Sequence, residues 1–316
     1  MNHSLSFTTC ALCLSATFIA PSSQAETIWA DGVSASGGWV DINKAVNGNS
    51  WADETEGTMC YAAAAANLIT WWQQKYNNIP AGTPNSATEI WEVYKQYGTD
   101  GGGDTTCALQ WWLTGIYSDS NNFTNTSSGL VNRTDTYFNQ DLVLPDLKDF
   151  ICYSGSNSLI AMAQSEAGLS ASIVEALTSG KGLSLTISGG FTHAVTLWGV
   201  DIDDSGQITK IWLTDSDDAR SDLGNYPGDS IFSVDVKNIE KTINRQTITT
   251  LQLTGNDGGR GYNGTYISSI FGINPTVSDG WGLTRAAAAG GDSVPEPATA
   301  TLSLLALAAL AARRRR

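Results

Sequence analysis

The chain of 316 residues carries 31 acidic against 17 basic side chains, a formal net charge of −14, and 41% of its residues are hydrophobic. A surface this acidic argues against nucleic acid and anionic membranes as partners, since both would repel it. With 2 histidines and 5 cysteines, it also lacks the Cys and His clusters of a zinc site, so neither metal nor cofactor is expected.

In chain order, residues 1–25 end an apolar stretch with the small-residue run Ser23-Gln24-Ala25 and read as a signal peptide removed before Glu26. An extended entry follows from Ile28 to Val46. The stretch "GTMCYAAAAANLITWW" is apolar on nearly every side, with Asn67, Thr70 and Gln74 leaving one narrow polar stripe, which predicts a helix inside the domain. Gly57 and Thr58 read as its loop and N-cap, which puts Cys60 in the first turn. Further helices are expected at about Ser86–Tyr97 and Thr106–Tyr117, the second carrying Cys107 near its start. The polar run "SDSNNFTNTSSGLVNRTDTYFNQ" reads as a long surface loop or insertion. A helix through "SASIVEALTSG" places Leu169, Ile173, Val174 and Leu177 on one face, with Gly180 as its stop.

From there the period becomes strand-like. "LSLTIS", "HAVTLWGV", "QITKIWLTD", "SIFSVDV", "QTITTLQLTG" and "TYISSIFGI" are β-branched, apolar runs between turn residues. Helices first and antiparallel strands later predict an α+β fold, with a helical part at about 51–182 and a β part at about 183–275. The folded domain is read as 26–285 and residues 286–293 as a linker.

Removing the leader leaves three cysteines, Cys60, Cys107 and Cys152, and one histidine, His193. An odd cysteine count in an exported chain implies one pair and one free thiol, or three free thiols. The simplest arrangement is a Cys107–Cys152 disulfide with Cys60 reduced. Should imidazole activate a thiol, that imidazole is His193. The Asp-Asp-Ser-Gly turn at 203–206 joins two strands into a hairpin, with His193 at the start of one and Asp215 at the end of the next. In an antiparallel pair those positions are neighbours, so an imidazole and a carboxylate meet at one sheet edge. "DIDDSG" opens like a calcium loop, but Trp212 stands at position twelve where a bidentate Glu is needed, so a turn is expected instead.

Two resemblances follow from these residues. "VPEPATATLSLLALAALAARRRR", residues 294–316, resembles the PEP-CTERM sorting signal, which implies export by a Gram-negative-type bacterium and handling of the tail by exosortase-type machinery. "GWVDINKAVNG", "MCYAAAAANLITWW" and "THAVTLWGVDIDDSGQITKIWLTDSD" resemble, in order, the IdeS/Mac-type immunoglobulin-degrading cysteine endopeptidases, which are papain-like. The resemblance puts the nucleophile on Cys60, the base on His193, the imidazole-orienting carboxylate on Asp215, a second aspartate on Asp217 and the oxyanion-site lysine on Lys44. It has no counterpart for residues 78–158. It implies an exported cysteine endopeptidase acting on protein substrates, immunoglobulin-like proteins among them. A non-catalytic surface-binding module on a degenerate protease scaffold and a transglutaminase-like acyl transferase are the alternatives. The oligomeric state is not legible.

Overall fold

The helix α1 (Cys60–Gln73) is the axis of the structure, a computed structural model that describes residues 26–44, 55–75, 79–99, 101–117, 129–217, 230–255 and 261–275. Every residue of α1 after Cys60 is buried. Its five consecutive alanines let neighbouring backbone approach closely on all sides, which larger side chains would prevent. Helices α2 (Ala87–Tyr97) and α3 (Thr105–Thr114) pack against one side of α1, and the long strand β4 (Thr192–Ile202) against the other. Tryptophans fill the joints: Trp71 meets Trp198 of β4 edge-on, and Trp112 stacks on Tyr94 of α2.

The polar stripe expected on α1 is turned inward rather than toward water. Asn67 accepts from the Ile42 amide at 3.0 Å and donates to Thr196 at 3.0 Å and Thr214 at 3.4 Å. Gln73, one position before the residue the pattern suggested, donates to the Pro84 carbonyl and accepts from the Trp112 indole. A buried amide must be matched in this way, because an unmet donor or acceptor in the core carries the full desolvation cost.

Six strands close into an antiparallel barrel: β4 pairs with β3 (Gly182–Ser188), then β8 (Tyr266–Ile273), β7 (Gln246–Thr254), β6 (Phe232–Ile243) and β5 (Ile208–Thr214), which returns to β4. β1 (Glu26–Trp29) pairs with Gly199–Ile202 of β4, beyond the stretch that β3 covers, and β2 (Ile151–Gly155) pairs with β8. Closure leaves few bare strand edges. The mixed helix-and-sheet class matches the expectation, and all six predicted strands are present.

Some elements differ from the reading. Strand β2 lies inside the stretch taken as helical, and α4 (Gln140–Val143), α5 (Leu147–Phe150) and α6 (Ser156–Gln164) have no clear signal in the sequence. They are short and irregularly patterned, and β2 is recruited by pairing with β8, over a hundred residues later. The helix ending at Gly180 starts earlier than its motif, as α7 (Gly168–Thr178). The leader, the linker, the sorting tail and residues 118–128 of the polar insertion lie outside the described residues; its remainder is described and buries Leu130, Arg133 and Phe138, so it is not wholly a surface loop. Among the described residues, no helix is long and apolar enough to cross a membrane.

Candidate active site

Three elements converge at one end of α1. The first is the helix start. A 3-10 turn at Thr55–Thr58 precedes it, and the N-cap is Met59, not Thr58. Met59 makes no side-chain cap hydrogen bond to the first amides of α1. A helix start leaves such N–H groups without intrahelical partners and carries the positive end of the macrodipole. Cys60 is therefore the first residue of a helix without a side-chain cap, although the Ala62 and Ala63 amides donate back to the Met59 carbonyl.

The second element is the β4–β5 hairpin. Asp203 fixes its turn by accepting from the Ser205 amide and hydroxyl and from the Gln207 amide, as expected for a turn rather than a calcium loop. His193 lies on β4 opposite Ile187 of β3, and β4–β5 pairing brings Thr196 opposite Thr214. Asp215 follows directly. Its Oδ1 accepts from His193 Nε2 at 2.5 Å and from the Asp217 amide at 3.0 Å. This local turn aims the carboxylate back along the strand at the imidazole.

The third element is the entry segment. Thr214 donates to the Val40 carbonyl and the Lys44 amide donates to the Ser216 carbonyl at 2.8 Å, so residues 40–44 run beside the end of β5. Lys44 is buried, with its ammonium 2.7 Å from Asp217 and 3.0 Å from the Gly57 carbonyl it donates to. Its side chain thus lies inside the site rather than on the surface. Asp217 is buried as well and is held by this ion pair.

The site's electrostatics follow from these contacts. Burial opposes ionisation of the Cys60 thiol, but a hydrogen bond and charge from His193, the Lys44 charge and the Ala194 amide outweigh it and lower the pKa. Burial would likewise favour neutral His193, yet the Asp215 charge and hydrogen bond, with Cys60, raise its pKa well above the ordinary value. Asp215 is pushed up by burial and down, more strongly, by His193, the Tyr262 hydroxyl and the Asp217 amide, and ends below the usual carboxylate range. The three groups favour thiolate, imidazolium and carboxylate together.

The other two thiols differ. Burial pushes Cys152 up to about 12. Cys107 sits in the first turn of α3, but there the cap is the Asp104 carboxylate, which accepts from the Cys107 amide at 3.1 Å. An anion thus occupies the place where a thiolate would benefit. The expected Cys107–Cys152 disulfide is not formed; all three cysteines are free. The Cys107 side chain bonds to Asp104, while the Cys152 sulfur packs against Gly272 of β8.

A cleft of about 680 Å³ opens over Cys60, His193, Asp215, Asp217 and Lys44. Its other walls are Tyr61 and the Gly102-Gly103 backbone on the helical side, and Phe191 and Tyr262 on the barrel side. A Cβ at Gly103 would lie 2.5 Å from the Tyr61 ring, so that wall needs bare backbone. Two residues of this site, Phe191 and Tyr262, escaped the sequence reading. Tyr262 sits in "GRGYNGTY", whose glycines mark a loop and give no hint that the hydroxyl reaches a carboxylate; it donates to Asp215 Oδ2.

His193, Asp215 and Asp217 also offer three ligand-type atoms within 4.8 Å of one another. That donor set does not suit a divalent cation, because His193 Nε2 is engaged with Asp215 and the Lys44 ammonium already neutralises Asp217. A second cation there would face a fixed like charge.

A thiol at a helix start, paired with an imidazole that is oriented by a carboxylate, has the makings of a cysteine nucleophile. The comparisons point to a protease-related protein. Residues 164–243, which contain His193, Asp215 and Asp217, match the family model described as Mac 1. The chain is also similar to the IgM protease of Streptococcus suis (strain P1/7), at 23% identity over 226 residues, covering 59% of this chain. The alignment takes in only 18% of that protein's length. Residues 293–316 match the PEP-CTERM protein-sorting motif, a signal for export and surface sorting in Gram-negative bacteria. The likeness is thus to a protease-related domain joined to an exosortase-type sorting signal.

Proposed function

We propose that this chain is an exported cysteine endopeptidase of papain-like design that hydrolyses peptide bonds in proteins. Cys60 is the nucleophile, His193 the acid and base, and Asp215 the residue that orients the imidazole. The observation that carries the reading is the relay itself: the Cys60 thiol bonds to His193, whose Nε2–H donates to Asp215 at 2.5 Å. The same reading takes residues 26–285 as the peptidase domain, 1–25 as a leader and 286–293 as a linker.

Because Nε2 is committed to Asp215, Nδ1 is the nitrogen that serves Cys60. The thiolate attacks the scissile carbonyl carbon, forming a C–S bond. The N–H of Cys60, at the start of α1, receives the developing oxyanion. His193 passes the Nδ1 proton to the departing amine as the C–N bond breaks. Neutral His193 then takes a proton from water, which attacks the thioester, and the thiolate leaves. Lys44 supports the oxyanion region through its charge, while its ammonium is tied to Gly57 and Asp217. Immunoglobulin-like proteins are the substrate class suggested by the relative named as an IgM protease.

The test is alkylation and proteolysis of the purified chain. Iodoacetamide should label Cys60 faster than Cys107 or Cys152 below neutral pH, and the advantage should vanish in His193→Ala. Incubation with a protein mixture should generate new termini that are absent with Cys60→Ala. Rapid labelling with crosslinks and no new termini would favour an acyl transferase, and uniformly slow labelling would favour a binding module.

A further inference from the structure

Asp215 is held from a direction that the relay does not require. Its Oδ1 already serves His193 and the Asp217 amide. Its Oδ2 accepts from the hydroxyl of Tyr262, which lies in the β7–β8 connection, outside both the hairpin and the segment matched to the Mac 1 family. We propose that Tyr262 is a positioning residue of this site, acting through Asp215 to keep the carboxylate ionised and aimed at His193. The inference rests on the endopeptidase reading above.

The hold is firm because Tyr262 is itself fixed. It is 2% exposed. Its carbonyl accepts from the Thr265 amide at 2.9 Å and from the Thr265 hydroxyl at 2.6 Å. The Gly264 amide donates to the Leu253 carbonyl, and the Leu253 amide donates to the Thr265 carbonyl. Gly261 and Gly264 flank it with φ of +81° and +89°, a backbone that side-chain-bearing residues rarely adopt. The ring stacks on Phe232 at 17° and lies nearly parallel to His193 at 24°. It therefore covers one side of the His193–Asp215 pair while its hydroxyl serves the far oxygen.

A buried carboxylate with one oxygen unmet would either turn or take a proton. The groups facing Asp215 are His193 from β4, Asp217 from the turn after β5 and Tyr262 from the β7–β8 connection, with Lys44 reaching it through Asp217 and Cys60 through His193. Tyr262 supplies the one donor to Oδ2 in this set. Its loss raises the Asp215 pKa, so acid dismantles the relay at a higher pH.

The experiment uses Tyr262→Phe in the full chain, with kcat and KM for protein hydrolysis and the Cys60 alkylation rate followed against pH. A hydrogen bond to a charged group sets the scale: kcat should fall about 10-fold or more while KM stays within about twofold. The acid limb of both profiles should move up by about half a pH unit or more. Phe232→Leu, which loosens the same ring stack and leaves the hydroxyl, should lower stability without moving that limb. If Tyr262→Phe does not fold, difluorotyrosine placed at 262 is a stronger donor and should move the acid limb down. Unchanged kcat and an unmoved limb, in a protein whose Cys60 still shows His193-dependent alkylation, would overturn the role of Tyr262 alone. Loss of that His193 dependence in the wild type would instead overturn the endopeptidase reading.

Discussion

Replacing Asn67 with alanine tests how α1 is held against the strands that carry the imidazole and carboxylate. Asn67 sits seven residues beyond Cys60, and its single amide joins three elements: the entry segment through Ile42, β4 through Thr196 and β5 through Thr214. Thr214 is shared further, donating to the Val40 carbonyl and accepting from the Trp198 indole at 2.8 Å. In Asn67→Ala the Ile42 amide loses its acceptor in a buried setting. An unmet buried donor costs about 1–3 kcal/mol. The Thr196 and Thr214 hydroxyls can rotate toward other partners, so their losses are nearer the ordinary ~0.5–1.5 kcal/mol each. Asn67 is 2% exposed, and the space its amide vacates adds a cavity term of the same sign. Before the cavity term the losses total about 2–6 kcal/mol, which for a domain of this size lowers Tm by roughly 4–24 °C at ~2–4 °C per kcal/mol. Urea unfolding followed by tryptophan fluorescence, together with calorimetry, reads this directly. The midpoint should fall with the slope unchanged, and Cys60 should lose part of its alkylation advantage as α1 loosens. A change under about 0.5 kcal/mol, the range of an ordinary surface substitution, would refute the view that this amide locks the nucleophile helix to the hairpin.

Other outcomes follow from the same contacts. Lys44→Met strands the buried Asp217 carboxylate and should destabilise the fold by about 3–5 kcal/mol, the cost of breaking a buried pair; Lys44→Met with Asp217→Leu should recover much of the stability and none of the activity, as urea curves and a hydrolysis assay will show. Asp215 has a folded pKa below its unfolded value, so its stability contribution is complete above the unfolded value and is lost as pH falls through the folded one. His193 has a raised pKa, so its contribution is complete below its unfolded value and is lost as pH rises through the folded one. Stability from this pair should therefore peak between those limits, and Asp215→Asn should flatten the acid side of a Tm-against-pH curve. Phe191 is 41% exposed at the cleft beside His193, so Phe191→Ala should raise KM several-fold (about 3–10) with little change in kcat, the pattern of lost uniform binding.

Much of this architecture was written locally. The apolar, alanine-rich run from Cys60 could only be an internal helix, and the alternating runs after Lys181 could only be strands, because periodicity reports which faces are buried. The Asp-Ser-Gly turn set the hairpin register, and antiparallel pairing then brought His193 and Asp215 together. With a single histidine outside the first 25 residues, the sequence alone fixed which imidazole was available. What it left open were properties of contact between distant segments. That Lys44 is buried follows from Ser216 accepting its amide, and that β2 is a strand follows from its pairing with β8. That Asp215 has a second donor follows from a loop closing back 47 residues later. Nor does any local pattern tell Cys60 from Cys107, since each precedes an apolar helix with paired tryptophans. The tertiary structure separates them, setting a cation and an imidazolium beside one sulfur and an aspartate beside the other, because Coulombic effects depend on distance through space and not along the chain.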